Sequence, residues 1–375
     1  MTSFALKTLL ADRRKLFIAL IGVIFSLVLV NIQGGMFIGL IRKSTLLVDN
    51  CAAEIWVGHR GVKNADITAD IPVAWIYRVR GVPGVAQAEP YIVSGGMLEL
   101  RNGNFEGVIV VGSDSASMLG GPWAFAEGDA SRLREPDAVT IDRLDESRLD
   151  RPQTGDVLEI NGNKARVSAK TDGIVGFITT PYVFTTLERA RLYTRIPEGR
   201  CSYFLVTVQT GYSIEAVVSE IQRRLHHADV YPATVFSWKT RMYWIARTGL
   251  GLSFGSSTLL GLAVGLLMVA QSLYAFVLDH LENYAALKAI GATDRQIAGI
   301  LMTQGLVIAT LGCVVGHLFS WLIVALVSSP QLTIAMTPIL QIAATIMAFS
   351  ICLISSLLPI GRIRNVDPVT VLQGQ

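Results

Sequence analysis

The sequence predicts an α-helical membrane protein with four transmembrane helices and a large α/β domain (mixed β and α+β) inserted between the first and second spans. Three observations carry that reading. First, 51% of the residues are hydrophobic and only 16% are charged, against roughly 25% charged in soluble domains. Second, charge is absent from three long stretches: 16–41, 248–278, and 297–360, the last broken at Ser328-Ser329-Pro330 to Pro338. Third, the intervening 43–247 has ordinary soluble composition and enough length for its own core. A net charge of +3 gives no ground for a nucleic-acid partner.

The expected domains are 1–42, 43–247 and 248–375. Phe4, Leu6, Leu9 and Leu10 with Lys7 form a short amphipathic stretch suited to the inner membrane face. Arg13, Arg14 and Lys15 place the N-terminus inside by the positive-inside rule. The 26 uncharged residues of 16–41 make about 39 Å of helix, more than the roughly 30 Å hydrocarbon layer. That is too long for a signal peptide, and no Ala-x-Ala cleavage pattern follows.

Beyond the first span, 44–50 is expected to continue the helix outward, and Glu54 to Val57 to form a strand. Residues 72–80 suit a helix, ended by the Gly81-Val82-Pro83-Gly84 turn. Strands are expected at 91–94, 97–100, 107–111 and 137–141, then a hairpin over 157–167 with Asn161-Gly162 as its turn. A strand at 203–209, a helix at 213–226 and a strand at 230–235 form a β-α-β ending. Trp238, Tyr243 and Trp244 beside Lys239, Arg241 and Arg247 suit an amphipathic helix at the outer interface, leading directly into the second span. The 31 uncharged residues of 248–278 read as a continuous rod of about 46 Å.

A polar interruption follows. Leu281 to Ile290 are good helix formers, Gly291 suits the left-handed position past a helix end, and Thr293 with Gln296 makes a capping box for the third span. The fourth span begins near residue 339. The tail carries Arg362 and Arg364, again inside.

Candidate sites are few. No G-x-x-x-x-G-K-[ST] occurs, so the chain holds no P-loop, and no G-x-S-x-G or H-E-x-x-H motif marks a hydrolase. No cofactor, metal or catalytic residue is expected, and the chain reads as not an enzyme. The spans hold no internal Asp, Glu, Lys or Arg, which argues against an ion-coupled carrier. His317 is the one ionisable candidate there; a neutral, helix-bonded histidine is the alternative. Gly35/Gly39, Gly251/Gly255, Gly261/Gly265 and Gly312/Gly316 are GxxxG pairs for close helix packing, with those of the second span either internal or at a homodimer seam. His226-His227 reads as a solvated helix end, and Asp142, Asp145, Glu146 and Asp150 as a solvated acidic face. Cys51 and Cys201 face an oxidising compartment, which permits a disulfide without establishing one.

The wording Asn283-Tyr-Ala-Ala-Leu-Lys-Ala-Ile-Gly-Ala292 closely resembles the cytoplasmic coupling segment of FtsX-like, MacB-type ABC transporter permeases. In the family's commoner form a Glu stands where this chain has Asn283; Glu282 is one place earlier. Gly84-Val85, Asp142 with Gly155-Asp156, and Leu358-Pro359 with Arg362, Arg364, Asp367-Pro368 and Leu372 are similar to other parts of the family pattern. With Ala53-Glu54-Ile55-Trp56-Val57, the coupling segment looks closest to the DevC-like branch.

The resemblance implies a permease subunit in the bacterial inner membrane, multi-pass with both termini cytoplasmic, paired as a homodimer and served by a separate ABC ATPase. A periplasmic membrane-fusion adaptor, an outer-membrane channel and export of a glycolipid, membrane lipid or other amphiphile are implied by the same branch. ATPase coupling is expected at Glu282, Asn283, Ala286, Leu287, Lys288, Ala289, Gly291 and Ala292, with Leu287 and Ala289 packing on the partner. A second class stays open: an FtsX-like signal relay that activates a periplasmic cell-wall hydrolase and moves no substrate.

Overall fold

The computed structural model describes residues 8–9, 12–177, 180–328 and 333–359. Phe4, Leu6, Lys7 and Leu10, the Ser329-Pro330 part of the outer turn, and the tail with Arg362, Arg364, Asp367 and Leu372 lie outside the described residues. Leu9 is described and is 1% exposed, buried among the membrane-length helices. Two compact units form, one from Met1–Gly39 with Leu250–Gln375, the other Leu40–Gly249.

The chain runs through α1 (Arg13–Lys43), α2 (Leu46–Asp49), β1 (Ile55–His59), β2 (Ile71–Pro72), α3 (Ile76–Arg80), β3 (Val85–Glu99) and β4 (Phe105–Ser113). It continues with β5 (Phe125–Glu127), β6 (Ala138–Asp142), β7 (Val157–Ile160), β8 (Asn163–Thr171), β9 (Tyr182–Thr186), α4 (Leu187–Thr194), β10 (Arg200–Cys201) and β11 (Tyr203–Val208). Then come α5 (Ile214–Arg224), β12 (Ala228–Pro232), α6 (Ala233–Thr248), α7 (Leu250–Asp279), α8 (Leu281–Ala289), α9 (Asp294–Val327) and α10 (Pro338–Leu357).

In the Leu40–Gly249 unit, β12, β1, β11 and β3 lie side by side, each pair antiparallel. β1 and β3 are therefore parallel and joined through α3; β11 and β12 are parallel and joined through α5. That is the β-α-β-β-α-β arrangement of two split β-α-β halves. Val217 and Ile221 of α5 and Ile76 and Val79 of α3 are buried in one core with Ile55, Val57, Phe204 and Val206.

Everything from β4 to β10 is an insertion between the second and third strands of this unit. β3 pairs β4, β4 pairs β9, β9 pairs β6, β6 pairs β8, β8 pairs β7, and β7 returns to β3. A ring of strand pairs closed in this way is a barrel, which leaves those strands with no open edge. Asn161 and Gly162 both have positive φ, 48° and 82°, and make the tight β7–β8 turn that the sequence predicts.

Several expectations shift. The helix does not run on through 44–50, because Ser44 donates its hydroxyl to Ile41 O at 2.7 Å and its N–H to the same oxygen, replacing the i−4 ladder. The strands expected at 91–94 and 97–100 are one, since Gly95 and Gly96 stay in register with Ile109 and Val108 of β4. Residues 233–235 belong to α6 rather than to the last strand, because Pro232, extended at ψ 144°, ends β12 and caps the helix. Gly249, at φ 65°, separates α6 from α7, so the interface helix does not lead unbroken into the second span. Trp238 of α6 is 63% exposed, but Trp244 is buried against Phe177. Cys51 and Cys201 are free thiols whose burial pushes them up to about 11 and about 12.

Among the described residues, four helices are long and apolar enough to cross a membrane: α1, α7, α9 and α10. Glycines set the packing around α1. A Cβ at Gly312 would lie 2.6 Å from Val23 Cγ1, and one at Gly22 2.7 Å from Met268 Cβ. Large apolar side chains such as Leu252, Leu259, Leu318 and Ile339 point outward, as lipid contact requires.

Candidate functional site

α8 is a bracket between two long helices, and local chemistry builds both of its ends. His280, at φ −111°, breaks α7 from α8. At the other end, Ala292 N–H donates to Leu287 O and Gly291 N–H to Lys288 O, both at 2.9 Å. This pair of bonds is a Schellman motif, which needs the left-handed residue that Gly291 supplies at φ 96°. Thr293 and Gln296 then exchange both bonds of a capping box, and α9 begins.

The inner face of α8 is anchored. Ala285 is fully buried, and Tyr284, 1% exposed, clusters with Val277 of α7 and Ile297, Ile300 and Leu301 of α9. Burial raises the Tyr284 phenol to about 12, and the Gln304 amide lies beside its hydroxyl. Gln304 also donates to Thr8 Oγ1 at 3.1 Å. Lys15 pairs with Asp279 at the end of α7 and with Asp12 at 3.3 Å.

Of the residues expected to couple, Glu282, Asn283, Ala286, Ala289 and Gly291 are exposed, while Leu287, Lys288 and Ala292 are half-buried. Leu287 and Ala292 pack in part on the Tyr284 cluster of their own chain, and the half-buried Leu287 keeps the rest of its side chain accessible. Lys288 Nζ lies 3.3 Å from Asp294 Oδ1. Ile290 was not singled out from the sequence and is 82% exposed. Helical spacing would have found it: residues 282, 283, 286, 289 and 290 share one face.

On the second span, Gly261 and Gly265 face α1. A Cβ at Gly261 would lie 2.6 Å from Leu29 Cδ2, one at Gly265 would overlap Ser26 Oγ, and Ser26 donates to Gly261 O at 2.7 Å. Gly251 is half-buried, and Gly255 is exposed with no atom near a Cβ position. His317 is bonded on both sides: Nε2 to Thr345 Oγ1 at 2.8 Å and Nδ1 to the buried Asn31 amide at 3.2 Å. Thr345 gives its proton to Gln341 O, so the bonds are consistent with a neutral ring whose Nε2–H donates and whose Nδ1 accepts.

His226 and His227 are exposed past the end of α5, and the described residues contain no group of three metal-binding side chains. The acidic run is not a solvated face. Asp142 and Asp145 are each 1% exposed. Asp142 accepts from Thr171 Oγ1 and Ile174 N, both at 2.8 Å, and from Leu144 N at 3.0 Å.

Among the described residues, four membrane-length helices, a folded domain after the first and a short packed helix between the second and third are the features of a multi-pass membrane protein. Residues 16–224 match the MacB-like periplasmic core domain and residues 255–368 the FtsX-like permease C-terminal domain. The chain belongs to this family of ABC transporter permeases, a family that implies a partnering ATPase. It is 24% identical over 390 residues, 99% of each chain, to an uncharacterized ABC transporter permease of Mycobacterium tuberculosis. It is 31% identical over 111 residues, 30% of this chain and 31% of the other, to one from Mycobacterium bovis. The periplasmic region of MacB from Actinobacillus actinomycetemcomitans aligns with a TM-score of 0.39 at 9% identity, over 51% of this chain and 94% of that one.

Proposed function

We propose that this permease relays ATP-driven motion of a separate ATPase from α8 to its extracytoplasmic domain, and that this motion exports an amphiphile. One observation carries the reading: α8 is capped at its C-terminal end by the Gly291 turn and packed along its inner face, yet leaves Glu282, Asn283, Ala286, Ala289 and Ile290 bare. Small alanines flanked by one large aliphatic group and one acid suit a protein cleft. Push on the outer face is transmitted directly to α7 and α9 through the Tyr284 cluster. Spans without internal charge fit relay better than passage of a polar substrate through them. Both termini and α8 are cytoplasmic in this proposal, a periplasmic adaptor and outer-membrane channel receive the cargo, and two copies form the working unit.

Co-purification with the ATPase tests it. Ile290→Asp and Ala286→Trp should abolish co-elution and permease-stimulated ATP hydrolysis, because charge or bulk at a packed contact costs a few kcal/mol. If both variants retain wild-type co-elution and stimulation, α8 is not the docking helix.

A further inference from the structure

Two mid-strand glycines leave a groove on the extracytoplasmic domain. On one face of the β3–β4 pair, the residues are Tyr91, Val93, Gly95 and Met97 from β3 and Val111, Ile109 and Gly107 from β4. Val93 lies opposite Val111, Gly95 opposite Ile109, and Met97 opposite Gly107, with no bulge. Tyr91, Val93, Ile109 and Val111 are buried in the core on that face. The core layer then thins, because a Cβ at either Gly95 or Gly107 would meet nothing within 4 Å. Glycine weakens a strand interior, and where no bulge requires it, it marks a place where something else approaches the backbone.

The space it leaves is a pocket of about 500 Å³, within the range that holds drug-sized ligands. Its walls include the apolar Ile67, Val93, Met97 and Ile109, and Asp66 is the one ionisable side chain lining it among the described residues. Asp66 is held in place from below. Tyr182 donates its hydroxyl to Oδ1 at 2.7 Å, Asn64 Oδ1 accepts from the Asp66 and Ile67 N–H groups, and Tyr203 donates to Asn64 O. Oδ2 has no hydrogen-bond donor among the described residues. A carboxylate with a fixed orientation, one oxygen without a donor among the described residues and apolar neighbours suits a cation that brings its own apolar surface.

We propose that this groove is a binding site for an amphiphile bearing an ammonium group, the nitrogen on Asp66 and the apolar body over Gly95 and Gly107. The proposal names a ligand class for the export reading and rests on it for its role, but binding is measured without the ATPase. A failure here therefore leaves the coupling reading standing, and a failure of docking at α8 leaves this site standing.

The test uses the full chain in lipid nanodiscs and calorimetric titration with phenylbutylamine, phenylbutanol and the matching phenyl-alkyl carboxylate at about pH 8, where the amine is charged. The amine should bind at least about tenfold more tightly than the alcohol, as a charge-assisted bond requires, and the carboxylate should not bind. Asp66→Asn should erase the difference between amine and alcohol. Gly107→Leu, whose Cβ would meet nothing within 4 Å, puts its side chain into the groove and should remove binding of both. Tyr182→Phe should keep the preference for the amine. Equal affinity for amine and alcohol, or a preference that survives Asp66→Asn, overturns the proposal. If Asp66→Asn fails to fold, undiminished amine binding by Gly107→Leu overturns it alone.

Discussion

At the scale of single residues, burial of charge is where this chain departs most from its sequence pattern. Asp142 and Asp145 read as a solvated run because nothing nearby in sequence shows that Thr171 and the 173–174 backbone come back to cover them. Asp142 is fully partnered, but Asp145 Oδ2 is buried with no hydrogen-bond partner among the described residues. Loss of solvent, followed by the Asp142 charge, raises the Asp145 carboxyl to about 7, against the partial opposition of Arg148 and Lys43. Asp66 is raised to about 6 by desolvation, less the Tyr182 bond. Both folded values lie above the ordinary 3.8, so the folded domain holds more protons than the unfolded chain between roughly pH 4 and 7. The stability they contribute is full below about pH 4 and lost as pH rises through 6 and 7. Asp145→Asn should therefore raise the thermal midpoint at about pH 8, with a gain of about 1–3 kcal/mol from removing an unsatisfied buried charge, and flatten the pH dependence. A variant whose midpoint falls at pH 8 and keeps the wild-type slope contradicts that assignment.

At the scale of elements, the legible parts are those set by local chemistry. The Asn161-Gly162 turn, the Gly291 corner and the Thr293 capping box need only two to four neighbouring residues, and all form where the sequence places them. Barrel closure was not legible, because β7 meets β3 some sixty residues earlier in the chain through Leu98 opposite Ile160, a pairing that no local pattern encodes. The direction of Leu287 was hidden for the same reason: it depends on how α8 turns against α7 and α9. The glycines of the second span give the element-scale prediction. Because Gly265 lies against Ser26 and Gly22 of α1, Gly265→Leu should force α1 and α7 apart and cost about 1–3 kcal/mol of overpacking. Gly255→Leu, which meets open space, should leave the monomer's thermal midpoint unchanged. Equal loss of stability in the two variants would show that α1 is not what fills the groove at Gly265.

At the scale of the whole molecule, the proposed orientation rests on which end of each span carries charge. Arg13, Arg14 and Lys15 stand at the start of α1, and α8 with Glu282 and Lys288 lies two spans later. In the topology proposed above, the even number of crossings between them puts both on one side, the side that the positive-inside rule assigns to the cytoplasm. The same proposal puts the Leu40–Gly249 unit, which carries the exposed Lys164 on its β8 strand, outside. Every assignment of function depends on this parity: α8 meets an ATPase only if it is inside, and the Asp66 groove meets exported cargo only if it is outside. Single cysteines at 164 and 288, in a background with Cys51, Cys201, Cys313 and Cys352 replaced, separate the possibilities. A membrane-impermeant maleimide applied to intact cells should label position 164 and leave position 288 unlabelled until the membrane is opened. Labelling of position 288 from outside would invert the topology and remove the coupling role of α8 along with it.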